Sequence, residues 1–169
     1  MARKRSFSIG LGLVVLTLAL GTGASLTSAK PHQILEFDTM VGVPQAFTGT
    51  QAPIRGVNGG GIPWRVATAR GELGTTGHLE IRVTGLVLDA GANAGTNPVA
   101  SFRGLVSCLA ADGSTQNVLT EPFPATTGAE SDGGGTARIE AQLTLPDPCI
   151  APIVFVTSPG GAWFSATGG

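Results

Sequence analysis

The sequence predicts an all-β protein, an antiparallel two-sheet β-sandwich of the Ig-like or Greek-key type with about eight strands. Three observations predict it. Apolar and polar residues alternate along several stretches, glycine-rich turns separate those stretches, and helix signals are absent. Alternation is typical of a strand with one face in a core and the other in water. Stacking two such sheets through their apolar faces buries both.

The strongest alternation lies in two stretches, residues 78–84 and 137–145. Residues 64–73 come before the first of them and are joined to it by the turn Gly74-Thr75-Thr76-Gly77. A glycine-bounded connection of this length predicts a β-hairpin.

The remaining strands are less regular. Residues 150–157 are nearly all apolar, which favours a strand buried on both faces, although Pro152 prefers a sheet edge or a strand start. Residues 121–135 are rich in Gly, Thr and Pro and are expected to form an exposed, mobile loop. Further strands are expected at residues 34–43, 99–109, 115–119 and 162–167.

An export signal is expected at residues 1–29. A basic start without acids precedes an apolar run at residues 9–20, and small residues follow. About a dozen apolar residues fall short of the ~20 of a membrane-spanning helix, so cleavage is favoured over an uncleaved anchor. We expect cleavage after Ala29, with Ala24 as second choice. A single secreted, extracellular domain at residues 30–169, with no stable membrane insertion, would remain.

The expected mature chain is mildly acidic. Cleavage removes three of the 10 Lys and Arg residues and none of the 11 Asp and Glu residues, which leaves seven cations and a net charge of −4. The remaining cations are scattered, so no basic stripe is available for a phosphate backbone. Nucleic acid is therefore not expected as a partner.

Cys108 and Cys149 are the only cysteines, and an oxidising compartment favours a disulfide between them. Closing a loop of this length stabilises a fold by roughly 3 to 4 kcal/mol. The alternative, a redox or nucleophilic thiol, needs a C-x-x-C pair or a nearby histidine base, and the sequence shows neither. Both tryptophans lie outside the interval between the cysteines, unlike the tryptophan of a true immunoglobulin domain.

The sequence offers little catalytic chemistry. His32 and His78 are the only histidines, and no G-x-S-x-G, HExxH or paired Cys/His spacing occurs, so we expect no catalytic residue, metal site or cofactor. A hydrolase site assembled from distant residues stays open as an alternative. So does a calcium-dependent adhesin, because Glu121, Glu130 and Asp132 carry oxygen ligands in the predicted loop.

Trp64, Trp163 and Phe164 are the candidate ligand surface. If exposed, these rings would stack on a sugar or a peptide. If buried, they would anchor the core.

Over about residues 62–168 the chain resembles a group of small exported bacterial proteins of no established function. The resemblance implies a shared all-β fold and export, and it implies no activity. It is carried by I-P-W at 62–64, G-H-L-E-I-R-V-T-G-L-V at 77–87, N-P-V at 97–99, V-S-C at 106–108, L-P-D-P-C-I-A-P-I-V-F-V-T at 145–157 and W-F-S-A-T-G at 163–168.

The lack of recognisable catalytic motifs, together with an exported β domain that a disulfide stabilises, predicts a secreted, non-catalytic binding or structural module. Its expected partner is an extracellular ligand or an envelope component.

Overall fold

The computed structural model describes residues 32–168, and the predicted signal segment at 1–29 lies outside them. Residues 32–168 form fourteen strands and two short 3-10 helices, Gln45–Phe47 and Glu130–Asp132. No helix in this range has the length and apolar character needed to cross a membrane. The strands are β1 Gln33–Phe37, β2 Val41–Gly42, β3 Trp64–Arg65, β4 Thr68–Gly74, β5 His78–Thr84, β6 Val87–Leu88, β7 Thr96–Asn97, β8 Ser101–Leu109, β9 Thr115–Leu119, β10 Phe123–Pro124, β11 Gly128–Ala129, β12 Ala137–Gln142, β13 Ile150–Thr157 and β14 Trp163–Ala166.

Two larger antiparallel sheets dominate the fold. Sheet I has the strand order β1-β4-β5-β12. Sheet II has the order β10-β8-β13-β14-β2, and β9 also pairs with β8. Two smaller ribbons, β3 with β6 and β7 with β11, connect them.

The core lies between the inner faces of the two sheets, and Gly104 marks their close approach. A Cβ atom at Gly104 of sheet II would stand 2.9 Å from Leu79 Cδ2 and 3.3 Å from Ile139 Cγ2 of sheet I. Leu79 and Ile139 are fully buried, as is Phe102 of sheet II. The predicted apolar faces therefore meet each other, as in a stack of two sheets.

The predicted hairpin is confirmed. Strands β4 and β5 pair antiparallel, and Gly77 closes the turn with a φ of 86° that favours glycine. The three inward residues of β5, Leu79, Ile81 and Val83, are at most 1% exposed. The alternation at residues 137–145 is confirmed as a strand for Ala137–Gln142.

The prediction of about eight strands is wrong: two predicted strands each divide between sheets, and four further two-residue strands, β6, β7, β10 and β11, add to the count. Residues 34–43 form β1 in sheet I and β2 in sheet II, separated by a bend after Phe37. Residues 64–73 form β3, which pairs with β6, and β4, which pairs with β5. A chain that passes from one sheet to another keeps its extended, partly apolar pattern, so periodicity does not mark the crossing.

The segment at residues 121–135 is paired, where the sequence predicted a free loop. Strand β10 pairs with β8, and β11 pairs with β7. The glycines allow this path, because a Cβ at Gly134 would stand 2.1 Å from the carbonyl oxygen of Gly128. Strand pairing and a close backbone approach therefore occur in a segment that remains largely exposed, as the sequence predicted.

Strand β13 lies between β8 and β14, and its proline falls at an irregularity. The register with β8 shifts between Ile150 and Ile153, so Pro152 lies outside the paired positions. β14 pairs only from Phe155 onward. The predicted disulfide between Cys108 and Cys149 is confirmed, and it ties β8 to the residue before β13.

Candidate functional site: the outer face of sheet I

The outer face of sheet I carries a row of glutamates across all four strands. The antiparallel register places Glu36 opposite Glu72, Glu72 opposite Glu80, and Glu80 opposite Glu140. We call these four residues the glutamate row. Neighbouring strands lie about 4.8 Å apart, so the row is a line of closely spaced carboxylates.

A row of arginines runs beside the glutamate row. Arg70 lies opposite Arg82, and Arg82 lies opposite Arg138. These three residues, the arginine row, each lie two positions from a glutamate on the same strand. They therefore share its face at a distance of about 7 Å along the strand. Beyond them, the hydroxyls of Thr68 and Thr84 are 2.6 Å apart.

The rows originate in a mirror symmetry of the sequence that the alternation alone does not reveal. Read outward from Thr76, both arms of the hairpin carry Leu, then Glu, Arg and Thr at alternate positions. A hairpin centred on that turn pairs each residue with its own kind. Strand β12 continues the pattern, because R-I-E at 138–140 runs antiparallel to E-I-R at 80–82.

Ion pairs link the two rows on the β5–β12 side of the face. Arg82 Nε donates to Glu80 Oε1 at 2.6 Å, and Arg138 Nη2 donates to Glu140 Oε2 at 2.7 Å. The same Arg138 nitrogen lies 3.5 Å from Glu80 Oε1. These contacts offset part of the repulsion within each row.

The hydrogen bond from Arg82 holds the pKa of the Glu80 carboxyl below its ordinary value of 4.5. Partial burial opposes this effect, while the charges of Arg82, Arg138 and His78 add to it. Glu80 is therefore ionised at neutral pH.

The β1–β4 side of the face is less internally paired. Glu72 accepts a hydrogen bond from the Gln33 side chain. Across residues 32–168, Glu36 and Arg70 take part in none of the ion pairs that lie within 4.0 Å. Two adjoining shallow depressions on this face share Asp38, Arg70 and Arg82 among their lining residues. This side has charge available for an opposing surface.

The two rows together place seven charged side chains on one face. No protein-family model, curated protein or solved structure matches the chain. With these seven charged side chains in adjacent rows, the outer face of sheet I is the candidate functional surface.

The structure places the aromatic candidates in the core. Trp64, Trp163 and Phe164 are 5%, 2% and 5% exposed. Trp64 stacks on Phe164 with ring centroids 3.9 Å apart, and both rings meet Phe102 edge-on between the sheets. Their packing corresponds to core anchoring, the alternative that the sequence left open, and none of the three lies on the charged face.

Trp163 lies on the opposite face of sheet II from its neighbour Phe164. Its ring contacts Phe155 and the edge of Phe47, which belongs to the segment at residues 44–62. Backbone hydrogen bonds join that segment to β14, because Gly60 N donates to Trp163 O at 2.8 Å and Trp163 N donates to Asn58 O at 2.9 Å. The segment thus covers the outer face of sheet II and makes a second, smaller apolar contact.

The remaining chemical candidates are dispersed. His78 lies partly buried on β5 opposite Gln142, and His32 is exposed before β1. Glu130 accepts a hydrogen bond from Arg65 Nη2 at 2.5 Å, so its carboxylate is engaged by a cation. Glu121 and Asp132 are exposed. Within residues 32–168, no group of three His, Cys, Asp or Glu side chains is arranged to hold a metal ion.

Proposed function

We propose that this protein is a secreted, non-catalytic module that works by surface contact with an extracellular or envelope component, and that the outer face of sheet I is its contact surface. The observation that supports this proposal is the sorting of Glu and Arg into adjacent rows of opposite sign. Electrostatic complementarity of this kind sets the register and specificity of an encounter more than its strength.

In the isolated chain, the separation of Glu and Arg into rows of like charge destabilises the fold. Like charges directly opposite each other on a sheet are destabilising. The two rows contain five such pairs, three of Glu with Glu and two of Arg with Arg. An opposing surface with the reverse pattern would add attraction across the contact that offsets this repulsion.

Export is supported by the N-terminal sequence pattern and by the disulfide, a bond that persists in oxidising compartments. The test is intact-mass measurement of the protein recovered from culture medium. We expect a chain that begins at Lys30 and carries no free thiol. A chain retained in the cytoplasm with its first 29 residues intact would contradict the proposed site of action.

Contact through the charged face is tested by the size of the protein in its native setting. Tagged wild-type protein from the culture medium and from an envelope wash is sized at about 50 mM and about 500 mM salt, since the higher concentration screens exposed charges. The test variant is E72K/E140K, which reverses the charge of two members of the glutamate row. The control, E121K/D132K, makes the same charge change at exposed positions away from the row.

We expect the wild-type protein and the control to elute as complexes at low salt and as single chains at high salt. The test variant should elute as a single chain at both. A wild-type protein that is a single chain in both fractions at low salt would overturn the proposal, as would a test variant that behaves like the control.

A further inference from the structure

The charged face has a property beyond its charge: it is complementary to itself. The glutamate row and the arginine row are parallel, adjacent and opposite in sign, as the register of sheet I places them. We propose that the surface that docks on this face is the same face of a second copy of the chain. This inference rests on the proposed contact face and names its partner.

A two-fold axis that runs parallel to the rows and midway between them produces the match. Such a rotation keeps positions along the rows and exchanges the two rows. Glu72 then lies over the partner's Arg70, and Glu80 over the partner's Arg82. By the same symmetry each arginine meets a glutamate, so the contact is isologous, as in most two-subunit assemblies.

One end of the face departs from this match. Asp38 follows Phe37, whose strand partner is Gly71, so it lies beside Arg70 at the β1 end of the arginine row. The rotation places Asp38 over the partner's Glu36, acid against acid. Three of the four strands therefore contribute attraction, and the β1 end contributes repulsion that a single substitution at Asp38 would remove.

The size of the face sets the expected strength. Four strands about 4.8 Å apart and seven residues at about 3.4 Å each give roughly 450 Å² per copy, or about 900 Å² in total. Stable interfaces bury about 1,200 to 2,000 Å². The dimer is therefore weak, dependent on concentration and sensitive to salt.

The test is sedimentation of the purified mature protein between about 10 and 1,000 µM, at low and high salt. One variant, E72K/E80K/E140K, makes the part of the face on β4, β5 and β12 wholly basic. The other, R70E/R82E/R138E, makes it wholly acidic. Circular dichroism establishes that each variant keeps the β fold of the wild type before it is used.

We expect the wild-type protein to dimerise at low salt, each variant alone to stay a single chain, and an equimolar mixture of the two variants to form a heterodimer. Recovery in the mixture is the decisive result, because a variant that had merely lost its fold would not recover. Dimerisation of either variant alone, or no association in the mixture, would overturn the inference.

A further substitution, at Asp38 in the exposed bend after β1, tests the proposed orientation independently. D38K completes the arginine row and should tighten the dimer at least about threefold, whereas D132K makes the same charge change elsewhere and should leave it unchanged. Equal affinities for the two variants would contradict the proposed orientation.

Failure here is distinguishable from failure of the proposed function. If the purified wild type stays a single chain while the protein in culture medium is complexed through the charged face, the partner is another molecule and only this inference falls. If the wild type is a single chain in both settings, both proposals fall.

Discussion

Gly104 stands where a side chain has no room. A methyl group there would approach Leu79 Cδ2 at 2.9 Å, Thr120 Cγ2 at 3.2 Å and Ile139 Cγ2 at 3.3 Å. Because the two sheets meet at this point, these neighbours can yield only by moving a strand or a buried side chain.

We expect G104A to lower the free energy of unfolding by about 1 to 3 kcal/mol, the usual cost of overpacking a core. Urea denaturation measures it. The matched control is G61A, because a Cβ at Gly61 has no atom within 4 Å other than those of its chain neighbours. Equal stabilities for the two variants would show that the sheets are not closely stacked at Gly104.

Glu80 makes stability depend on pH in a defined direction. Its folded pKa lies below 4.5, so the ionised form is favoured in the folded state. Its contribution is present above about pH 4.5 and is lost as the pH falls through the lower folded value. Because the lowered pKa shows that the hydrogen bond from Arg82 outweighs any repulsion from Glu72 and Glu140, we expect E80Q to be less stable than the wild type at pH 7 by up to about 1 kcal/mol, with the difference shrinking as the pH falls below about 4.5. A difference that grows as the solution becomes more acidic would contradict the assigned pairing with Arg82.

At the scale of elements, the alternation of apolar and polar residues predicts which side chains of a strand face outward. It does not predict the register between neighbouring strands. It showed that Glu80, Arg82, Arg138 and Glu140 face outward. Which strands lie side by side, and at what offset, depends on turn geometry and long-range packing. Only the hairpin offset between β4 and β5 is readable from the sequence, through the mirror symmetry about Thr76, so two of the four glutamates and two of the three arginines could have been placed in their rows.

The segment predicted as one strand but observed as β1 and β2 shows a second limit of prediction from sequence. Asp38 to Met40 form a bend that carries the chain from sheet I to sheet II, and the sequence there has no glycine or proline to mark it. The path is decided by tertiary packing, because Val43 is fully buried and its carbonyl oxygen accepts a hydrogen bond from Trp64 N at 3.0 Å. Local patterns do not contain that information.

The disulfide links strands that are already neighbours, so its stabilising effect lies mainly in the unfolded chain. Cys108 and Cys149 are separated by 41 residues, for which loop closure accounts for roughly 3 to 4 kcal/mol. We expect C108A/C149A to lower the melting temperature by roughly 10 °C. Reduction of the wild type should produce a similar fall. An unchanged melting temperature in fully reduced protein would contradict this estimate.

At the scale of the whole molecule, the charged face and the apolar core respond to different conditions. Dissolved salt screens the exposed charges of the proposed contact, whereas the core between the sheets has no charge to screen. We expect self-association to weaken as the salt concentration rises from about 50 to about 500 mM, while circular dichroism still reports the folded protein. Sedimentation at each salt concentration measures the first effect, and association that strengthens with added salt would contradict it.

The position of the two tryptophans gives the molecule its own optical reporters. With no tyrosine in the chain, near-ultraviolet fluorescence comes mainly from Trp64, between the sheets, and Trp163, under the covering segment on the far side of sheet II. Single-tryptophan forms made by W64F or W163F would let each compartment be followed by itself during heating. Emission changes at the same temperature would mean that the segment at residues 44–62 and the stacked sheets unfold together. An earlier change at Trp163 would mean that the segment at residues 44–62 detaches from sheet II first.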